Sequence, residues 1–280
     1  MLIGPPRPAP ADGAAPRSAS ASITRRALRQ GAPPAGMILV MLAGWQALAG
    51  LGAVDPLLLP SPLEVVRVAW SDGALLLGEG AVTMVEVVLG LGLAVAAGMA
   101  LAVVMHAARP LRRAAYPLLV ASQAVPVVVV APLLVLAFDY GIGPKVAIIA
   151  LACFFPVVVG ALDGLRSVEP DLVRLMRSLG ASRIGVLGRV ELPASLPHLF
   201  SGVRIAAGVA VIGAVFGEWA GAHAGLGRLV LLDLNQLETA RVYAGVILLA
   251  LMAVSLFALA CAVERLVVPW AHEASERPAW

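Results

Sequence analysis

From Val87 to Met105, and again from Val242 to Val263, the chain carries no charged side chain. A run of about 20 apolar residues, rising about 1.5 Å each as a helix, is as long as the hydrocarbon core of a bilayer is thick. In that medium no water can satisfy backbone N–H and C=O groups, so such a run folds as a helix that satisfies them internally. The remainder of the sequence agrees. Sixty per cent of its 280 residues are hydrophobic before the 28 glycines are counted, and the 20 Lys+Arg and 17 Asp+Glu are clustered between apolar stretches. The predicted class is an all-α, polytopic membrane protein, not a water-soluble domain.

Other classes fall away for physical reasons. Cys153 and Cys261 both sit inside apolar runs, without the spacing of a metal site or a disulfide framework. The net charge of +3 could suit nucleic acid. However, the cations are nearly all arginine and lie between apolar runs instead of along one stripe, so membrane topology accounts for them better.

Residues 1–35, rich in Ala, Pro and Ser, are expected to form a disordered tail. Arg25 and Arg26 faintly resemble a twin-arginine export signal, but no cleavage site follows, so the first apolar run is expected to stay in the mature protein. Six spans are predicted, at about 36–54, 81–105, 115–137, 145–162, 201–221 and 242–265, within a membrane domain of residues 36–270 followed by a tail of residues 271–280. The third span holds Pro117, Pro126 and Pro132, and is expected to be a kinked helix packed inside protein, where the freed carbonyls find partners. Sixteen Lys and Arg fall on the side of the two tails, the 106–114 turn and the 163–204 loop, against four on the other side, which places both termini in the cytoplasm.

Asp163 to His198 is too long and too patterned for a bare connector. Pro170 and Asp171 suit a helix start, and Leu165, Val168, Leu172, Leu175 and Leu179 recur at helical steps. Gly180 ends that helix, Ser182 caps a second one running to about Val190, and Pro193 and Pro197 are expected to stop the pattern before the next span. The segment reads either as an amphipathic loop lying on anionic headgroups or as a rigid knob that docks into a cytoplasmic partner.

Gly180, nine residues, Val190, Glu191 and Leu192-Pro193 resemble the second half of the cytoplasmic loop motif of binding-protein-dependent ABC importer permeases, Glu-Ala-Ala-x3-Gly-x9-Ile-x-Leu-Pro. The motif's opening is replaced by Arg174, Leu175 and Met176. Leu59-Pro60-Ser61-Pro62, Pro126, Pro132, Phe154-Phe155-Pro156, Gly164-Leu165-Arg166 and Gly225-Leu226-Gly227 extend the likeness to the nitrate/sulfonate/taurine-type group. Phe138-Asp139-Tyr140-Gly141, Pro144-Lys145 and Gly217-Glu218-Trp219 look most like its hydroxymethylpyrimidine (thiamine-precursor) branch. The resemblance implies a type I ABC importer permease fold and a coupling loop at residues 163–200. It also implies a second permease copy, two cytoplasmic ATPase subunits and an extracytoplasmic solute-binding protein, all at a bacterial inner membrane. Sulfonate or taurine and nitrate are the rival cargoes.

A phosphate-binding loop needs Gly-x4-Gly-Lys-Ser/Thr, whereas Lys145 stands between Pro144 and Val146. ATP and Mg are therefore expected on the partner ATPase, and no cofactor, metal or catalytic residue on this chain. Ionisable and polar groups at membrane depth are the candidates for lining a pathway: Gln123 and Pro126 in the kinked span, Phe154 and Phe155, and Glu218 with Trp219. Glu86 reads equally as anchor or functional group. Gly90 with Ala94 and Gly98 with Ala102 allow close helix approach. An ion-coupled secondary transporter stays open as a second class, with Glu86 and Glu218 its only acid pair.

Overall fold

The structure is a computed structural model that describes residues 36–37, 39–52, 55 and 57–270. The expectations for the two tails, residues 1–35 and 271–280, lie outside the described residues. The chain divides into two compact units, Met1–Pro62 and Leu63–Trp280. In the first, α1 (Leu39–Gly50) is a short apolar helix at the place of the first predicted span. A turn follows in which the Asp55 carboxylate accepts from the Leu57 amide at 2.9 Å, and the Trp45 indole donates to the Pro60 carbonyl at 3.0 Å.

The second unit begins with α2 (Pro62–Ser71) and continues through α3 (Gly73–Ala107), α4 (Arg109–Ser122), α5 (Val127–Phe138) and α6 (Ile142–Arg166). After α7 (Pro170–Ser178), α8 (Arg183–Val186), a π-helical turn (Leu187–Glu191) and α9 (Leu192–Trp219) run as one continuous helix, followed by α10 (Leu226–Gln236) and α11 (Thr239–Val267). Among the described residues four helices, Gly73–Ala107, Ile142–Arg166, Arg183–Trp219 and Thr239–Val267, are long and apolar enough to cross a membrane, and α4 with α5 forms a bent pair. The protein is thus an all-α membrane protein, with its apolar segments in the predicted order.

The core is α6 packed between α9 and α3. Lipid tails are as apolar as leucine, so helices in a bilayer gain from close van der Waals fit, and small residues allow it. Along α3, Gly90, Ala94, Gly98 and Ala102 are all buried, and a Cβ added at Gly98 would fall 2.8 Å from the Val157 Cγ1. The small-residue stripe read from the sequence therefore faces α6 of the same chain. At the α6–α9 crossing the backbones themselves touch. A Cβ at Gly160 would lie 2.7 Å from the His198 carbonyl, and one at Gly164 2.7 Å from that of Ser195.

Two expectations about proline need correction. The third span is not one kinked helix: α4 and α5 meet at a 100° bend, and within the single chain α4 has no buried residue and only Ala131 and Val135 of α5 are buried. Pro126 removes a donor and drives the preceding residue out of the helical region. The carbonyls freed there are satisfied locally, by amides three residues on: Gln123 to Val120, Ala124 to Ala121 and Val125 to Ser122. Nor do Pro193 and Pro197 stop a helix, for α9 runs through both. Ahead of them the chain widens into the π turn, where the Leu192 amide donates five residues back to Leu187. That wider turn absorbs a register change that prolines would otherwise impose as a break.

Candidate functional site

The first candidate surface is the elbow between α6 and α9. The α7 C-terminus is a glycine-based cap in which the Gly180 amide donates to the Arg177 carbonyl and the Ala181 amide to that of Met176, each at 3.0 Å. Gly180 has φ +85°, which a side chain disfavours, and a Cβ there would meet nothing within 4 Å. Ser182 then caps α8, its hydroxyl accepting from the Gly185 amide at 3.1 Å. The Arg183 guanidinium donates to the Ala107 carbonyl, joining the elbow to the end of α3. Of the helical stripe, Leu165 is buried, whereas Leu172, Leu175, Leu179 and Ile184 of the next turn are exposed, the last two by 74% and 81%. Arg174 pairs with Asp171 at 3.2 Å on the solvent side, and Met176 is half-buried. Val190, Leu192 and Pro193 are half-buried and belong to the continuous helix behind the elbow, not to its tip.

The second is a cavity of about 470 Å³ between α6, α9 and the α4–α5 break. Gln123 and Phe155 line it, joined by three polar side chains that the sequence reading had not placed there, Asp163, His198 and Ser201. Pro126, Phe154, Glu218 and Trp219 do not border it. Pro126 is the residue before α5, Phe154 is half-buried, and the Trp219 indole donates to the Gly227 carbonyl at 2.9 Å.

The third lies at the opposite end of the bundle from the elbow. Lys145 and Glu86 are only 7% and 2% exposed and form an ion pair. Glu218, 1% exposed, neighbours Glu86. Its carboxylate accepts from the Thr83 hydroxyl at 2.6 Å and the Arg228 amide at 3.0 Å. The Thr83 hydroxyl in turn accepts from the Leu226 amide at 2.8 Å, and Glu79 accepts from the Gly225 amide. These bonds pin the 220–228 turn onto α3, so that α3, α6, α9 and α10 are fastened at one polar node. Nearby, Arg241 of α11 makes two bonds to the buried Asp233 of α10, at 2.7 and 2.9 Å, and reaches Asp72 at 3.3 Å. Buried charges persist in an apolar setting only when paired or hydrogen-bonded: Lys145 and Glu86 answer each other through Glu86 Oε1, the Glu86 Oε2 has no hydrogen-bond partner, and Glu218 is held by neutral donors alone. The sequence reading set Lys145 at the start of the fourth predicted span and missed its pairing, because Glu86 and Lys145 are 59 residues apart and Thr83 and Glu218 135. The one available signal was that the chain's single lysine falls in an otherwise apolar stretch.

Residues 92–271 match the family described as "Binding-protein-dependent transport system inner membrane component". The formylaminopyrimidine transport permease protein ThiX of Halalkalibacterium halodurans is 36% identical over 242 residues, 86% of this chain and 96% of that protein. The riboflavin transport system permease protein RibX of Chloroflexus aurantiacus is 35% identical, covering 83% and 88%. The taurine transport system permease protein TauC of Escherichia coli is 34% identical, covering 85% and 89%.

Proposed function

Because the chain belongs to the binding-protein-dependent transport system inner membrane component family, the permeases of ABC importers, we propose that it carries a thiamine-precursor pyrimidine of the hydroxymethylpyrimidine type into the cell. The observation that carries this reading is the 470 Å³ cavity. Its wall offers an aromatic face, Phe155, with Gln123, Asp163, His198 and Ser201 around it. A flat, uncharged ring with amino and ring-nitrogen groups can stack on the first and exchange hydrogen bonds with the others. A sulfonate or nitrate would call for a fixed cation; among the described residues no lysine or arginine lines the cavity, and Arg204, which donates to the Ser201 hydroxyl at 2.9 Å, is already paired with Glu264 at 2.8 Å. The relatives differ little in identity, so the cargo reading rests on that chemistry and on the thiamine-precursor motifs.

The α4–α5 break supports a second copy of the chain. Irregular backbone at membrane depth is tolerated where protein covers it or where it lines an aqueous path, and Gln123, Ala124 and Val125 are exposed in the single chain. A homodimer closing over this face would place the two cavities along a shared route. The exposed leucines of the elbow supply the apolar face that a cytoplasmic ATPase groove would receive, with ATP and Mg held by that partner. Both termini then lie in the cytoplasm, and the Glu218 end faces the binding protein. ATP-driven closure of the ATPases would move the elbows as rigid bodies and alternate access to the route.

The cargo is tested by reconstituting the permease with its ATPase and binding protein in liposomes. Uptake of formylaminopyrimidine or hydroxymethylpyrimidine should require ATP, and Gln123→Ala/His198→Ala should raise its KM about tenfold, the loss of one or two hydrogen bonds at about 1 kcal/mol each. Taurine or nitrate accumulation with no pyrimidine uptake would overturn the cargo. Uptake that survives ATP removal and collapses with an ion gradient would overturn the ATP-driven scheme.

The elbow has its own test. Gly180→Ile places a β-branched residue at φ +85°, a change of about 1–2 kcal/mol in local conformational energy. Uptake and ATPase association, measured by co-purification, should fall severalfold while membrane insertion is unchanged. Gly180→Asn, which tolerates the left-handed region, should recover much of both. An isoleucine variant with full association and uptake would remove the docking assignment.

A further inference from the structure

The geometry points to a binding site for the phosphate of an anionic phospholipid headgroup in the cavity between the elbow and the ends of the spans. This cavity is about 790 Å³, larger than the one beside Gln123, and it belongs to a different face of the bundle. Arg109, Arg112 and Arg113 of α4, Arg166 at the end of α6, Arg177 of α7 and Arg183 of α8 all line it. Among the described residues no carboxylate forms an ion pair with any of these six. The acid in the wall, Glu191, is held by His106 at 3.2 Å, and the seventh arginine, Arg174, by Asp171. Six guanidinium groups drawn from four helices around one concavity, none paired with a carboxylate, outnumber the single acid in its wall and make a surface that concentrates anions. The guanidinium fork matches two phosphate oxygens at once.

The source of that phosphate follows from where the cavity sits. It opens at the last turn of α3 and of α6, which is where the hydrocarbon core must end. From its three arginines α4 continues into exposed Tyr116, Leu118 and Val120, side chains suited to the interface and acyl region. Val103, Leu165, Val186 and Leu187 supply an apolar wall beside the arginines. A free phosphate has no use for such a wall, whereas the glycerol and first methylenes of a phospholipid do. Acidic side chains of the ATPase are the other conceivable anion, but the elbow's exposed tip, Leu179 and Ile184, is apolar, and four of the six arginines lie on α4 and α6, off α7 and α8 or at their root. Basic residues near a bilayer surface typically attract anionic lipid by about a factor of five each.

The full-length permease, purified in detergent and stripped of lipid, is titrated with dioleoylphosphatidylglycerol or dioleoylphosphatidylcholine and read by native mass spectrometry and thermal unfolding. Phosphatidylglycerol should be retained about tenfold or more over phosphatidylcholine and should raise the unfolding temperature. That preference should weaken as salt is added to the unmodified protein. Arg112→Gln/Arg113→Gln/Arg166→Gln should remove it, the triple lysine variant at the same positions should keep most of it, and Arg67→Gln/Arg228→Gln should leave it intact. Equal retention of the two lipids by the unmodified protein, or undiminished preference in the glutamine triple, would overturn the site. So would inorganic phosphate at millimolar concentration displacing the lipid fully, which would make the ligand a soluble anion, or purified ATPase doing so, which would make the cavity a protein contact.

Discussion

Replacing Lys145 by methionine will destabilise the folded bundle by about 3–5 kcal/mol, because it leaves the Glu86 carboxylate buried with no counter-charge. The neighbouring Glu218, already hydrogen-bonded to Thr83 and to the Arg228 amide, supplies no positive charge in exchange. In cells the variant should be poorly retained in the membrane and inactive in uptake. Glu86→Leu in the same background should restore most of the stability, since an apolar pair of similar volume often matches or exceeds a buried ion pair. The double-mutant cycle, read by thermal unfolding in detergent, should give a coupling of several kcal/mol. A double variant no more stable than the single one would mean that the pair does not hold α3 to α6. Uptake by a stable double variant then separates the scaffold role of the node from any role in gating, for an apolar pair keeps the packing but loses the polar contact to the Ala224 carbonyl at 3.4 Å.

Gly164→Leu will block assembly of the bundle, and Gly202→Leu should do the same. At Gly164 even a methyl group would stand 2.7 Å from the Ser195 carbonyl and 2.8 Å from its Cα. At Gly202 it would overlap the Pro156 carbonyl. Backbone cannot move aside as a side-chain tip can, so α6 and α9 must separate along their whole contact, a loss of about 3 kcal/mol or more. Gly208→Ala is the control. It lies in the same helix with nothing within 4 Å of the added Cβ, and should be neutral or stabilising by up to about 1 kcal/mol. Size-exclusion profiles of the solubilised variants distinguish the two groups, and a monodisperse Gly164→Leu protein would contradict the observed crossing.

These two regions differ in how visible they were beforehand. The small-residue stripe of α3 was legible because helical spacing puts Gly90, Ala94, Gly98 and Ala102 on one face whatever that face meets. The elbow was legible for the same kind of reason: Pro170, Gly180 and Ser182 act through the conformation of their own neighbourhoods. The prolines of α4, α5 and α9 misled, since a missing donor can be answered by a bend, by three-residue hydrogen bonds or by a wider turn, and only neighbouring chain selects among them. Gln123 and Phe155 were picked out as residues, but the cavity they share with Asp163, His198 and Ser201 depends on how α6 and α9 cross.

The sequence alone therefore determined the medium and the order of the apolar segments, because transfer of apolar residues into hydrocarbon and the satisfaction of backbone groups are local properties summed along a run. It also determined the helix-glycine-helix shape of the elbow, which is set within a dozen residues. Only the tertiary structure decided which charges are buried together, which carbonyls touch glycine, and which arginines converge. Those outcomes depend on distances between segments up to 169 residues apart, and a distance across the fold is a property of the packed helices, not of any stretch of chain.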